Sequence, residues 1–368
     1  MVSQQLPEYD VYIHPRDLMD LKKDIWNDEP VDAYLRYNQK RYTILTAYRG
    51  THIREQRKKS YHITFETPKL FYGKKEMHLN AEYQDPSLMR NKLSMDFFRD
   101  IGVLSPTCRH VVLKVNGRTE GIYLQLDSVD EFFLKQRKKA IGSIFYAIDD
   151  DANFSLMGSF EEGPKKSLAQ GYEHKCGNKE DVSKLEEFIY IINVTSKENF
   201  AYEIERKLDT EKYLRWLAGV VCTQNYDGFV HNYSLYLDSE KDLFEIMPWD
   251  FDATWGRNIN GGEMPHDYAR VQGYNTLSAR LLDLPKYQVM YIDIMRNLLK
   301  EKFQPDYMEP RILRLFNDLL PYIEKDPYMK NRKEYFLKEP EYIIRFIHKR
   351  NAYLSYNIEK WADGLGIR

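Results

Sequence analysis

Residues 225–257, NYDGFVHNYSLYLDSEKDLFEIMPWDFDATWGR, constrain the fold of this chain more than any other stretch. Positions 233–237 and 243–247 are apolar and aromatic, and the polar run 238–242 between them reads as a turn. Segments joined in this way pair as an antiparallel hairpin, which brings their outer ends together. Asp227 and Asn232 precede the first strand, and Asp250 and Asp252 follow the second. Folding the ribbon therefore predicts that Asp227, Asn232 and Asp250 converge at one end, with Asp252 a candidate to join them.

Such a set of hard oxygen donors suits Mg²⁺, which takes one or two carboxylates together with phosphates and waters. Asp227 and Asn232 keep an Asp-x4-Asn spacing, and Asp250-Phe251-Asp252 stands downstream. A protein-kinase catalytic loop followed by its metal-binding motif has the same order: an Asp that accepts the hydroxyl proton, a metal-binding Asn, then a metal-binding Asp. Asp-x4-Asn alone is common in loops, and paired Asp more often cap turns. The ordered set with a hairpin between is what carries weight.

The rest of the chain divides by periodicity. Residues 11–14, 41–49 and 60–65 read as strands; Tyr61, Ile63 and Phe65 alternate on one face. A helix is expected to open at Asp85-Pro86-Ser87 and stop at Gly102. Asn116-Gly117 joins strands 109–115 and 121–126, a two-residue hairpin signal. After Asp127 the pattern turns mainly helical, at 179–193, 199–208, 210–224 and through the C-terminal third, where Ile343, Phe346, Ile347, Leu354, Ile358 and Trp361 share a face. Residues 149–179, rich in Gly, Asp and Lys, read as a long loop. The expected fold class is α+β: a β-rich N-lobe, 1–127, with an antiparallel sheet and one long helix, and a mainly helical C-lobe, 128–368. A length of 368 residues accommodates two such lobes.

A phosphate-binding cation is also required. Lys59 shares the alternation of Tyr61 and Ile63, so it is expected to face the cleft; Lys58 is its neighbour, and Arg54 in the 49–54 turn is a further candidate phosphate contact. A net charge of −2 excludes the basic excess of a nucleic-acid binder. Three widely spaced Cys argue against a disulfide framework and a zinc site. The polar first ten residues show no signal-peptide core, and no apolar run is long enough for a membrane span. The 29 Tyr suggest an interior built partly from tyrosine.

RGTHIREQRKKSY (49–61), SLMRNKL (87–93), NGRTEGIYLQLDSVD (116–130), NYDGFVHNYSLY and MPWDFDATWGR together resemble the CotH family over about residues 41–257. The resemblance implies a two-lobed atypical protein-kinase-like fold. It also implies Mg-ATP-dependent Ser/Thr kinase activity on Ser-rich spore coat proteins, with control of outer-coat assembly. It places such a protein in the mother-cell cytoplasm and then the spore coat. Carried over, Asp227 is the catalytic-loop Asp, Asn232 a metal-side ligand and Asp250 the main Mg²⁺ ligand; Lys59 binds ATP phosphate, and Gln125 to Asp127 form the adenine hinge. Asp252, two residues past Asp250, is a further candidate metal ligand. The His-Arg-Asp triplet of ordinary kinases is here Asn225-Tyr226-Asp227, DFG is DFD, and no Glu stands on the 87–100 helix to pair Lys59; Arg90 and Asn91 are there instead. A non-catalytic coat scaffold of the same fold is the alternative. A Mg²⁺-dependent phosphohydrolase fits less well, since such sites gather more His and Asp.

Overall fold

The computed structural model describes residues 5–66, 68–160 and 163–367. The expectations for the first ten residues and for 149–179 therefore lie partly outside the described residues. The first half is built from β1 (Glu8–Ile13), α1 (Pro15–Lys23), β2 (Val31–Tyr37), β3 (Lys40–Arg49), β4 (Ser60–Phe65), β5 (Glu76–Asn80), α2 (Arg90–Asp100), β6 (Cys108–Val115) and β7 (Arg118–Asp127). Its strands close into a barrel, in the order β1-β2-β3-β4-β5-β7-β6. The sequence pattern led us to expect an antiparallel sheet, but β1 runs parallel to β6, with Glu8 opposite Val112. Closure removes the free edges that an open sheet would present. The barrel interior is filled by the alternating side chains Tyr61, Ile63 and Phe65 of β4, Met77 and Leu79 of β5, and Tyr123 of β7. Asn116 and Gly117 join β6 to β7, both with positive φ, as a tight primed turn requires.

α2 starts later than Asp85. Leu88 takes a left-handed φ of 56° and delays the helix to Arg90. Asp85 caps it from a distance, its carboxylate accepting from the backbone N–H groups of Ser87 (2.8 Å) and Arg90 (2.9 Å). Leu93, Phe97 and Phe98 of α2 enter the core of the second half.

That half contains α3 (Glu131–Gln136), β8 (Ser143–Ala147), β9 (Tyr172–Cys176), α4 (Asp181–Val194), α5 (Lys197–Glu205), α6 (Thr210–Thr223), β10 (Tyr233–Asp238), β11 (Leu243–Pro248), α7 (Thr276–Leu282), α8 (Pro285–Glu301), α9 (Pro305–Ile323) and α10 (Lys333–Leu365). The hairpin β10–β11 forms with Tyr233 opposite Pro248. It does not stand alone, because β8 and β9 extend it to a four-stranded sheet of order β11-β10-β8-β9. β9 lies inside the segment expected to be a loop; five residues with little apolar content carry no strand signal of their own. Tyr213, Tyr236 and Tyr291 are fully buried, and their hydroxyls donate to Asn275, Ala140 and Val271. Cys108, Cys176 and Cys222 are free thiols. No helix among the described residues is long and apolar enough to cross a membrane.

One buried carboxylate ties the α9–α10 connection to the barrel. Asp326 accepts from the backbone N–H of Ile122 on β7 (2.7 Å) and from those of Tyr328 and Met329 (2.8 and 3.0 Å). The Lys58 ammonium lies 3.7 Å away, with both side chains essentially inaccessible. Gly121 makes room: at its φ of +100°, a Cβ would lie 2.2 Å from Asp326 Oδ2. Burial pushes the Lys58 amine down, and Asp326 opposes that shift. Replacing Asp326 with Ala leaves a buried ammonium without its counter-charge, a loss of about 3–5 kcal/mol. A lowered urea midpoint with unchanged slope is the expected outcome; an unchanged midpoint refutes the role.

Candidate active site

The site forms where α6 runs into β10 and where β11 leaves the sheet. α6 stops at Gln224, which is left-handed at φ 58°. Asn225 then organises the turn. Its Oδ1 accepts from Gly228 N (3.0 Å), and its Nδ2 donates to the Asp250 carbonyl (3.3 Å), binding the two ends of the hairpin to each other. Asp227 opens a short 3₁₀ turn, and its carbonyl accepts from Val230 and His231 (3.0 and 2.9 Å). Asn232 is left-handed (φ 57°), and its carbonyl accepts from Trp249 N at 2.9 Å. Asp250 is left-handed too, at φ 56°. Short polar side chains tolerate that conformation best, and non-glycine residues held there concentrate at functional sites.

The loop after Asp250 is gripped by α2. Phe251 is fully buried, edge-on against Phe98 with centroids 4.9 Å apart. Its N–H donates to Asn91 Oδ1 (3.4 Å), and Asn91 Nδ2 donates to Glu82 Oε1 (3.1 Å). Arg90 donates through Nε to the Thr254 carbonyl (3.0 Å), and its two terminal nitrogens reach Asp85 and Glu339, each at 2.6 Å. Trp255 donates to Ser94 Oγ at 2.9 Å. Arg90 and Asn91, which stand where ordinary kinases carry the Lys-pairing Glu, thus hold the DFD segment and the residues just after it from helix α2.

The electrostatics are those of a crowded acidic crevice. Asp250 is open to solvent, yet the surrounding chain still pushes its carboxyl up, with Arg49 and His231 opposing. Water therefore reaches the group, but the protein packed around it leaves its solvation poorer than in bulk. Burial also raises Asp227, which His231 counteracts and Asp150 reinforces. Asp252 is driven up to about 8 by burial and by Asp250 and Asp85. Glu82 is raised well above the carboxylate range by burial, then by Asp252 and Asp85, and its Oε2 is buried without a hydrogen-bond partner. Acidic groups crowded enough that Asp250 raises Asp252 and both raise Glu82, with one Glu82 oxygen lacking a hydrogen-bond partner, form a donor set that fits a divalent cation. Among the described residues no three His, Cys, Asp or Glu are gathered closely enough to make a ready-made cage; Mg²⁺ commonly completes its shell with phosphates and waters instead.

The residues expected at the nucleotide are placed differently. Lys59 does not continue the buried face of β4, because strand pairing begins at Ser60; it is half-exposed and its amine donates to the Arg54 carbonyl. Lys58 is the buried one, engaged with Asp326 and the Ile122 carbonyl. Arg54 pairs with Asp28. Gln125 accepts from Tyr9 (2.6 Å) and Arg109 (2.9 Å), and Asp127 pairs with Lys74 and Arg137. None of these five has its polar end on the Asp227–Asp250 cluster. The cation beside Asp250 is Arg49, whose guanidinium donates to Asn80 and lies 5.7 Å from the Trp249 ring. Sequence reading placed Arg49 only in the 49–54 turn expected over the phosphates and passed over Glu82, Asp150 and His231 as site residues. Arg49 and His231 sit inside the quoted motifs, whereas Glu82 and Asp150 carry no local signal.

Asp252 also predicts a pH dependence for the cation-free chain. Its folded pKa of about 8 lies above its ordinary value of 3.8. The native state thus keeps a proton that the unfolded state has lost, and stability falls as pH rises between those values. In EDTA, Tm is expected to drop from about pH 5 to about pH 8, and Asp252→Asn to flatten the slope. Parallel slopes for the two proteins contradict the assignment.

A family model described as CotH kinase protein matches residues 46–354. The "Inner spore coat protein H" of Bacillus subtilis (strain 168) is 53% identical over 96% of this chain and 98% of its own length. The "Inner spore coat protein H-like protein" of the same organism is 28% identical over 82% of this chain and 86% of its own. Among solved structures, a chain of the Shewanella oneidensis MR-1 HipA–HipB–operator DNA complex aligns over 97% of this chain and 74% of its own at 12% identity, with a TM-score of 0.38, a likeness too slight to argue from.

Proposed function

Because the chain belongs to the CotH kinase protein family, we propose that it is a Mg-ATP-dependent Ser/Thr protein kinase acting on Ser-rich spore coat proteins. In this reading the barrel half and the helical half serve as the two lobes of an atypical kinase fold, divided near Asp127. The relative's name supports the spore coat location; control of coat assembly is drawn from the family resemblance alone.

The observation that carries the reading is the tie between Asn225 and the Asp250 carbonyl, which brings the Asp227 turn and the DFD segment to one end of the β10–β11 hairpin. Asp227 accepts the proton of the acceptor hydroxyl as the new O–P bond forms and the bond from the γ-phosphorus to the departing ADP oxygen breaks. Asp250, Asp252 and Asn232 would hold Mg²⁺, with Glu82 nearby. When bound, that ion neutralises charge on the phosphoryl oxygens. Arg49 supplies a fixed positive charge beside Asp250, in the role first assigned to Lys59.

A non-catalytic coat scaffold draws support from one observation: neither Lys58 nor Lys59 directs its amine at the crevice. A single assay separates the two. With γ-labelled ATP, Mg²⁺ and a Ser-rich coat polypeptide, the wild type is expected to transfer label. Asp227→Asn and Asp250→Asn are each expected to lose about 10³-fold or more in kcat while keeping the wild-type circular dichroism spectrum. Label transfer by either variant at the wild-type rate, or none by folded wild type, refutes the kinase reading.

A further inference from the structure

His231 lies between Asp227 and Asn232 but has no part in the kinase reading, and Asp150 lies 81 positions upstream of it; the two meet beside that site. His231 Nδ1 and Asp150 Oδ1 are 2.7 Å apart. An ionised carboxylate can only accept, so Nδ1 carries the proton and Asp150 sets the tautomer. With Nδ1 turned to Asp150, the opposite ring nitrogen points away from it, and Nε2 shows no protein hydrogen bond among the described residues. The charged groups that act on the ring are Asp150 beside it and Asp227 and Asp250 across the crevice.

A half-exposed His–Asp pair is often only a surface contact worth little. Two observations set this one apart. Asp150 sits on a rigid turn: Asp149 O accepts from Ala152 N (3.0 Å), and the buried Ala152 carbonyl accepts from the hydroxyls of Tyr172 (3.1 Å) and Tyr233. Tyr233 begins the strand that follows His231 and Asn232, so donor and acceptor rest on one framework. The His231 N–H, meanwhile, closes the turn that carries Asp227, 2.9 Å from the Asp227 carbonyl. The imidazole is therefore held from its backbone and from its ring, at the residue pair where phosphoryl transfer is proposed.

We propose that Asp150 is a positioning residue: through His231 Nδ1 it orients the imidazole so that Nε2 faces the Asp227–Asp250 crevice and contacts the phosphoryl group being transferred. This rests on the kinase reading, and it names a side-chain contact that the lysines do not provide. Ground-state nucleotide binding relies on other groups, so the loss on breaking the pair falls on kcat.

Two measurements test it. In steady-state transfer from ATP to the Ser-rich polypeptide, Asp150→Ala and His231→Gln are each expected to lower kcat about 10- to 100-fold, the range seen when residues that orient a site's ligands are removed, with the ATP KM held within about twofold. Asp150→Asn, which can still accept from Nδ1–H, is expected to recover part of the loss. The double variant is expected to be no worse than His231→Gln alone, since the pair acts as one unit. Wild-type kcat in Asp150→Ala, or losses that multiply in the double variant, overturn the proposal. Imidazole ¹⁵N NMR gives an answer that needs no activity: His231 is expected as the Nδ1–H tautomer in the wild type and as a different tautomer mixture in Asp150→Ala. The same tautomer in both overturns the pairing. An inactive wild type defeats the kinase reading and the transfer role with it, while the spectrum still decides the orientation.

Discussion

Arg90 is the interaction on which the rest of the site depends. Its guanidinium is fully buried and joins three segments distant in sequence: the turn at Asp85, the loop at Thr254 and helix α10 at Glu339. Burial pushes the guanidinium pKa down, and the two carboxylates more than offset that effect. A buried cation is tolerable only with well-aligned partners, and the planar fork of Arg meets that need where Lys would not. Because Arg90 begins α2, the same residue that docks the helix also fixes the loop following Asp250. Helix α2, the loop following Asp250 and the C-terminal helix therefore form one unit.

That unit holds acidic groups closer together than an uncompensated protein would favour. Asp250 and Asp252 both push Glu82 up, Asp250 pushes Asp252 up, and Glu82 retains a buried oxygen without a hydrogen-bond partner. Such an arrangement is costly in the cation-free chain and persists because the surrounding structure over-determines it: Asn91 links Glu82 to the Phe251 backbone, and Asn225 links Asp250 to the opposite turn. Functional sites are where this conflict between local stability and charge placement is expected.

The barrel is attached to the helical half through a second buried charge, Lys58 on Asp326, beside a glycine that admits the carboxylate. The lysine pair near β4 illustrates how a one-residue shift changes a role. Alternation favoured Lys59 as the inward residue, but alternation applies only inside a paired strand, and pairing begins at Ser60. Outside it, the chain turns Lys58 inward and leaves Lys59 on a neighbouring carbonyl.

The sequence by itself determined what local physics can encode. The two hairpins, around Asn116-Gly117 and before Asp250, follow from turn chemistry and strand composition, and the helices over 181–194, 210–223 and 333–365 follow from apolar spacing. The order of Asp227, Asn232, Asp250 and Asp252 along the hairpin was legible for the same reason. Closure of the barrel by a parallel β1–β6 pair, the strand β9, and the arrival of Arg49, Glu82 and Asp150 at the site were decided by tertiary structure alone. Each depends on partners many residues away: Asp150 meets His231 81 positions on, and Arg90 reaches Thr254 after 164. No periodicity or turn signal records a contact across such a distance; it exists only once the core has packed and brought those segments together.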